Sequence, residues 1–191
     1  MMLPPVDLRH RDPLQILISG TAGQGAVFSA SLIAGAAALD GKYVSETARS
    51  SAAVRSGPST AHVIISNAPI DFPFVDAPDI FIAFSRHAFE TQASPLSRVG
   101  ILFYDATLIT EEPTVAASRR IGIEASARAS EAGLPDANLV LLGAACHYTG
   151  FLSMDRLLAV IDTLDEPIRG PDRAALMLGR NLAKNLEIVD P

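Results

Sequence analysis

The stretch from Leu14 to Gly41 constrains the fold of this chain more than any other. Ile16-Leu17-Ile18 is a short apolar run of strand type, and Gly20-Thr21-Ala22-Gly23-Gln24-Gly25 is a glycine-rich turn. Ala26 to Leu39 is apolar and alanine-rich, with Gly35 as its one breaker, and stops at Asp40-Gly41. The pattern predicts a strand, a tight turn and a helix with a glycine stop. Such a turn presents backbone N–H groups at the positive end of a helix, where phosphate or carboxylate binds well. Two familiar loops can be compared letter by letter. A P-loop places Lys and Ser or Thr after its last glycine. Here Ala26 and Val27 follow Gly25, which argues against nucleoside triphosphate chemistry. A dinucleotide fingerprint has glycine at its first, third and sixth positions. Gly20 and Gly25 fit and Ala22 does not, while Asp40, twenty positions on, falls at the expected helix end. A turn of this kind also serves plain packing of helix on strand, so a purely structural role stands beside the binding one.

Lys42-Tyr43-Val44-Ser45 reads as a second strand, and Glu46 to Ser59 as a polar, conformationally free functional loop ending in Ser-Gly-Pro. In a doubly wound sheet this loop lies at the same carboxyl edge as the glycine turn. Arg49 and Arg55 then either face a bound anion or are solvated or paired with another subunit. Thr60 to Ser66 predicts a strand, and Ile80-Phe81-Ile82-Ala83-Phe84 a central parallel strand buried on both faces. Gly100 to Asp105 and Arg120 to Glu124 predict two more strands, the second leading into an alanine-rich helix that ends at Ala132. Asn138 to Tyr148 predicts an apolar helix in which Gly143 allows close approach and Cys146-His147 are core residues. Ser153 to Leu164 predicts a helix capped by Ser153, and Pro171 to Leu186 a final helix. Met1 to Pro13 reads as a loose arm. The fold class expected is α/β: a Rossmann-like three-layer domain with a mainly parallel sheet and a helical C-terminal part, one domain over residues 1–191.

Composition narrows the function. Only 19% of residues are charged while 49% are hydrophobic, which points to apolar surface covered by other subunits. A net charge of -6 argues against nucleic acid as a partner. A single cysteine excludes an internal disulfide and a cysteine-ligated cluster. The lack of a secretory or membrane-spanning pattern leads to the expectation of a cytoplasmic chain without membrane insertion. No acid–base pair, nucleophile set or metal cluster stands out among the four histidines and the acidic residues, so catalytic residues are expected to be none.

Several segments resemble a known family in the order in which they occur. Gly20-Thr21-Ala22-Gly23-Gln24-Gly25 resembles the G-x-G-G-Q-G turn that opens the gamma subunit of 2-oxoacid:ferredoxin (acceptor) oxidoreductases. Gly41-Lys42-Tyr43-Val44 resembles its G-K-Y-V, and Val54-Arg55-Ser56-Gly57-Pro58-Ser59 its A-R-G-G-x-S. Ile70-Asp71-Phe72-Pro73 resembles I-D-Y-P, and Leu142-Gly143-Ala144 with Thr149-Gly150 resembles the late L-G-A…T-G helix. The departures are Ala22 for a glycine, Ser50-Ser51-Ala52-Ala53 where the family has S-Y-G-P-E, and Ser56 for a glycine.

The resemblance implies a subunit, inert alone, of an enzyme that decarboxylates a 2-oxoacid on thiamine diphosphate. Such an enzyme passes electrons through iron–sulfur clusters and releases an acyl-coenzyme A. Thiamine diphosphate, Mg²⁺ and [4Fe-4S] clusters would sit on alpha, beta and ferredoxin-like subunits. Coenzyme A would be bound with help from this chain. Gly20, Gly23, Gln24, Gly25, Arg55 and Ser56 are the binding residues carried over, with no metal ligand. A stand-alone nucleotide- or flavin-binding oxidoreductase and a purely structural subunit are the competing readings.

Overall fold

Leu14, Ile16 and Ile18 on one face of the first strand and Leu17 and Ser19 on the other are all buried, so β1 (Leu14–Thr21) lies inside a sheet covered on both sides. The computed structural model describes residues 6–50, 57–86, 89–90, 99–111, 117–135 and 137–188. Its sheet contains β1, β2 (Tyr43–Ser50), β3 (Pro58–Ser66), β4 (Ile80–Ala83), β5 (Val99–Asp105) and β6 (Ala117–Ile123). Their spatial order is β2-β3-β1-β4-β5-β6. β1, β4, β5 and β6 run parallel, while β3 runs antiparallel to both of its neighbours, β1 and β2. The mainly parallel α/β sheet and its buried central strand β4 are as the sequence predicts.

Two expectations give way here. Glu46 to Ser59 is not one loop: Glu46 to Ser50 continue β2, Pro58 and Ser59 begin β3, and Ser50 pairs with Ser59. An outermost strand needs no apolar run, because the ladder to its single neighbour holds it. That is why polar residues hid this strand. Arg49 consequently sits on a strand. Glu46 accepts a hydrogen bond from Ser31 of the first helix (2.8 Å), so Arg49, three positions on, points to the opposite face. There its guanidinium lies 5.8 Å from the centre of the Phe74 ring. The adjacent His62 accepts the Val75 N–H at Nδ1, and burial, with the Arg49 charge second, holds its pKa below the ordinary histidine value. Arg49 therefore does not face the glycine turn.

The N-terminal arm is the second correction, since residues 6–13 are tied down. The Leu8 N–H donates to Thr149 O (2.8 Å), and Val6 and Leu8 pack on the main core. Arg11 Nε donates to Asp79 (2.9 Å), and Asp12 accepts from the Asn67 backbone and side-chain amides (3.0 and 2.9 Å). These last bonds lower the Asp12 carboxyl pKa.

One face of the sheet carries five helices of the described residues: α1 (Ala26–Leu39), α2 (Ala125–Glu131), α3 (Ala137–Thr149), α4 (Met154–Ile161) and α5 (Arg169–Ile188). The other face buries Leu17, Ile64, Phe81 and Leu102 under Val75, Phe89 and Ile109. α1 spans the residues its alanine-rich pattern predicts. α4 is shorter than predicted, and Ser153 holds its N-cap position without a side-chain hydrogen bond. α3 is apolar all round and buried along almost its whole length, as a helix of that kind must be. It meets α5 through backbone. A Cβ on Gly143 would stand 2.9 Å from the Leu176 carbonyl carbon, and one on Gly179 2.8 Å from that of Val140.

Cys146 lies on α3, and burial pushes its thiol far above the usual range. The reactive species is the thiolate. Iodoacetamide at pH 8 should therefore label the folded chain at least about a hundredfold more slowly than the unfolded chain. Rapid labelling of the native protein, read by mass spectrometry, would contradict this placement.

Candidate anion-binding site

The glycine turn joins the carboxyl end of β1 to α1. Gly23 (φ 94) and Gly25 (φ 78) take left-handed backbone that L side chains rarely adopt, and Gly25 occupies the N-cap position of α1. Gln24 builds the turn. Its N–H donates to Thr21 O (3.0 Å), its Oε1 accepts the Thr21 N–H (2.7 Å), and its Nε2 reaches Phe84 O (3.5 Å). Gly20, opposite Ser59 in the sheet, leaves room for the Gln24 side chain and the Phe84 ring. The polar groups of Gln24 are thus engaged inside the turn. The Gly23 and Gly25 N–H groups donate to no acceptor among the described residues, and the first N–H groups of α1 lack intrahelical acceptors.

The Ala22 N–H donates to Gly57 O (2.9 Å), which brings the end of the β2–β3 connection against the turn. Arg55 and Ser56 immediately precede Gly57 in sequence but lie outside the described residues.

A cleft of about 430 Å³ opens beside the turn. Gly23, Gln24, Gly25 and Phe28 line one side; Phe84, Asp105, Ser126, Pro135, Ala137 and Asn138 complete it. It lies outside the carboxyl ends of the parallel strands β1, β4 and β5, which is where open α/β sheets bind ligands.

The polar lining residues Asp105, Ser126 and Asn138 escaped the sequence reading. Asp105, 2% exposed, ends β5 and accepts the Ser126 N–H (3.1 Å), the Ser126 hydroxyl and the Thr107 N–H (3.0 Å). Its carboxyl group therefore satisfies the Ser126 N–H in the first turn of α2 from outside that helix. Asn138, 7% exposed, opens α3, and its Nδ2 donates to Ser29 Oγ (3.1 Å) and Gly25 O (3.4 Å). The only sequence signals were a polar residue ending an apolar strand and an amide starting an apolar helix. Neither identifies its partner. Among the described residues no three metal-ligating side chains are grouped, and no described helix is long and apolar enough to cross a membrane.

A mainly parallel open sheet with a glycine turn and a cleft at its carboxyl edge defines a Rossmann-like α/β domain. Residues 15–169 match the family described as pyruvate ferredoxin/flavodoxin oxidoreductase, and the chain belongs to it as a gamma subunit of the multi-subunit 2-oxoacid:ferredoxin oxidoreductases. It is 30% identical to 2-oxoglutarate synthase subunit KorC of Methanocaldococcus jannaschii, over 90% of this chain and 95% of that one. The gamma subunit of a keto/oxoacid ferredoxin oxidoreductase from Geobacter sulfurreducens has a TM-score of 0.75 at 27% identity, covering 91% of this chain and 97% of that chain. The 2-oxoglutarate:ferredoxin oxidoreductase of Magnetococcus marinus, solved with 2-oxoglutarate, coenzyme A and succinyl-CoA bound, has a TM-score of 0.78 at 25% identity. That match covers 95% of this chain and 33% of the longer one.

Proposed function

We propose that this gamma subunit binds coenzyme A for its complex, through the glycine turn, and makes or breaks no bond itself. The observation that carries the reading is the pair of N–H groups at Gly23 and Gly25, without described acceptors, beside a cleft at the N-terminus of α1. A helix N-terminus favours an anion by roughly 0.3–1 kcal/mol when exposed, and by about 2 when partly buried. Coenzyme A brings three phosphate groups. Gly20 and Gln24 shape the turn, and Arg55 with Ser56 supplies charge and a hydroxyl from the β2–β3 connection. The bond from Ala22 to Gly57, one residue beyond Ser56, supports that approach.

Thiamine diphosphate, Mg²⁺ and [4Fe-4S] clusters belong to the alpha, beta and ferredoxin-like subunits. Such a cluster takes four thiolates, and this chain has one cysteine. The division of labour is that the cofactors carry the chemistry and this domain binds and orients.

A charge-assisted hydrogen bond contributes roughly 1.5–3 kcal/mol, and each 1.4 kcal/mol is about a factor of ten. Arg55→Ala should therefore raise the Michaelis constant for coenzyme A about tenfold, with the 2-oxoacid constant unchanged. The check is steady-state kinetics on the reassembled complex, varying each substrate in turn. A change confined to the 2-oxoacid constant would overturn the assignment.

A further inference from the structure

We infer that Asn138 is a positioning residue for coenzyme A, acting through the glycine turn; this rests on the reading of that turn as the phosphate site. Asn138 is 7% exposed at the start of a helix whose following residues, Leu139 to Cys146, are apolar. A buried amide in such surroundings is unfavourable unless its hydrogen bonds are made. An aliphatic side chain would suit the packing of α3 as well. What the amide adds is a double attachment to an element 109–113 residues earlier in the chain: Nδ2 donates to Ser29 Oγ at 3.1 Å and to Gly25 O at 3.4 Å. A carbonyl only accepts, so the nitrogen must face Gly25.

The Gly25 carbonyl also accepts the Ser29 N–H at 2.9 Å, the first hydrogen bond of α1. Asn138 therefore shares the Gly25 carbonyl with that bond, holds the Ser29 hydroxyl, and fastens the first turn of α1 to α3. The peptide plane that follows Gly25, with the Ala26 N–H at the start of α1, is thereby held beside the cleft that Gly23, Gly25 and Asn138 line. Gly25 is part of the same fit, because a Cβ there would lie 2.8 Å from Asn138 Cγ. Charge matters as much as shape. Aspartate has the same outline, but its carboxylate would face the Gly25 carbonyl, acceptor against acceptor. It would also add a negative charge beside a site built for an anion.

The test uses the reassembled complex carrying Asn138→Asp or Asn138→Ala, with Gly25→Val measured alongside. The readouts are the Michaelis constants for coenzyme A and for the 2-oxoacid, kcat, and the melting temperature. Asn138→Asp should raise the coenzyme A constant about tenfold, and Asn138→Ala about threefold, with kcat and the 2-oxoacid constant nearly unchanged. If Asn138→Asp does not assemble, Asn138→Ala and Asn138→Ser supply the same readout. A fall in melting temperature with both constants unchanged overturns the inference, because Asn138 would then only support the fold. If Gly25→Val raises the coenzyme A constant and no Asn138 variant does, the positioning role fails alone. If none of them does, the phosphate site fails with it.

Discussion

Gly25→Val will remove most of the complex's use of coenzyme A while leaving 2-oxoacid binding in place. At φ 78 the backbone at Gly25 is left-handed, which costs an L residue about 1–2 kcal/mol. The new Cβ would meet the Asn138 amide at a separation real side chains do not show. Asn138 must move, and its bonds to Gly25 and Ser29 are lost. Leaving buried polar groups unpaired costs about 1–3 kcal/mol, and the misaligned helix terminus forfeits up to about 2 more toward a partly buried anion. The strain and the lost bonds fall on stability, while the helix-terminus term corresponds to a Michaelis constant for coenzyme A raised by roughly tenfold to thirtyfold. Kinetics on the assembled complex decide it, with Gly25→Ala as the milder variant. Unimpaired coenzyme A use in a correctly assembled complex would mean that the turn serves packing alone.

Gly143→Val should have the largest effect on stability. The added Cβ would stand 2.9 Å from the Leu176 carbonyl carbon, and that neighbour is backbone and cannot swing aside. α5 would have to lift away from α3, and Gly179 against Val140 would be disturbed at the same contact. Overpacking costs typically 1–3 kcal/mol where side chains can adjust. Backbone against backbone belongs at the upper end, about 3 kcal/mol. In a domain of this size each kcal/mol moves Tm by about 2–4 °C. A fall in Tm of about 6–12 °C, read by circular dichroism of the subunit, is expected. A shift within about 2 °C would show that the two helices separate easily.

How much was legible in the sequence follows from how local each signal is. The unit β1–turn–α1 could be read because its apolar run, glycines and helix stop are contiguous. β4 could be read because a strand buried on both faces is apolar without interruption. β2 was cut short because its second half, Glu46 to Ser50, is polar and held by ladder bonds to β3. The reversed direction of β3 depends on the shortness of its connection to β2, and the polar residues Glu46 to Ser50, which are strand, conceal that shortness in the sequence. The N-terminal arm was misjudged because Leu8 finds its partner at Thr149. In the site, the turn announced itself, but Asp105 and Asn138 enter from distant segments as single polar letters. Nothing near them in sequence names Ser126 or Gly25 as what they hold. Arg55 was marked by its place in the polar segment after β2, and Ser56 came from the family resemblance.

The reversed strand β3 has a consequence for how this protein can diversify. In a crossover connection the two ends lie far apart, and the segment between them is part of the architecture. A hairpin brings its ends together: Ser50 and Ser59 are direct partners, and Ser59 is in turn the partner of Gly20 at the mouth of the turn. The segment between Ser50 and Gly57 is thus joined at both ends to a ladder that pairs Ser50 with Ser59 and Pro58 with Thr21. Ser50-Ser51-Ala52-Ala53 replaces a bulkier and more acidic run within one architecture. Residue changes in that segment leave strand register, core and glycine turn intact, because its two anchors are already paired.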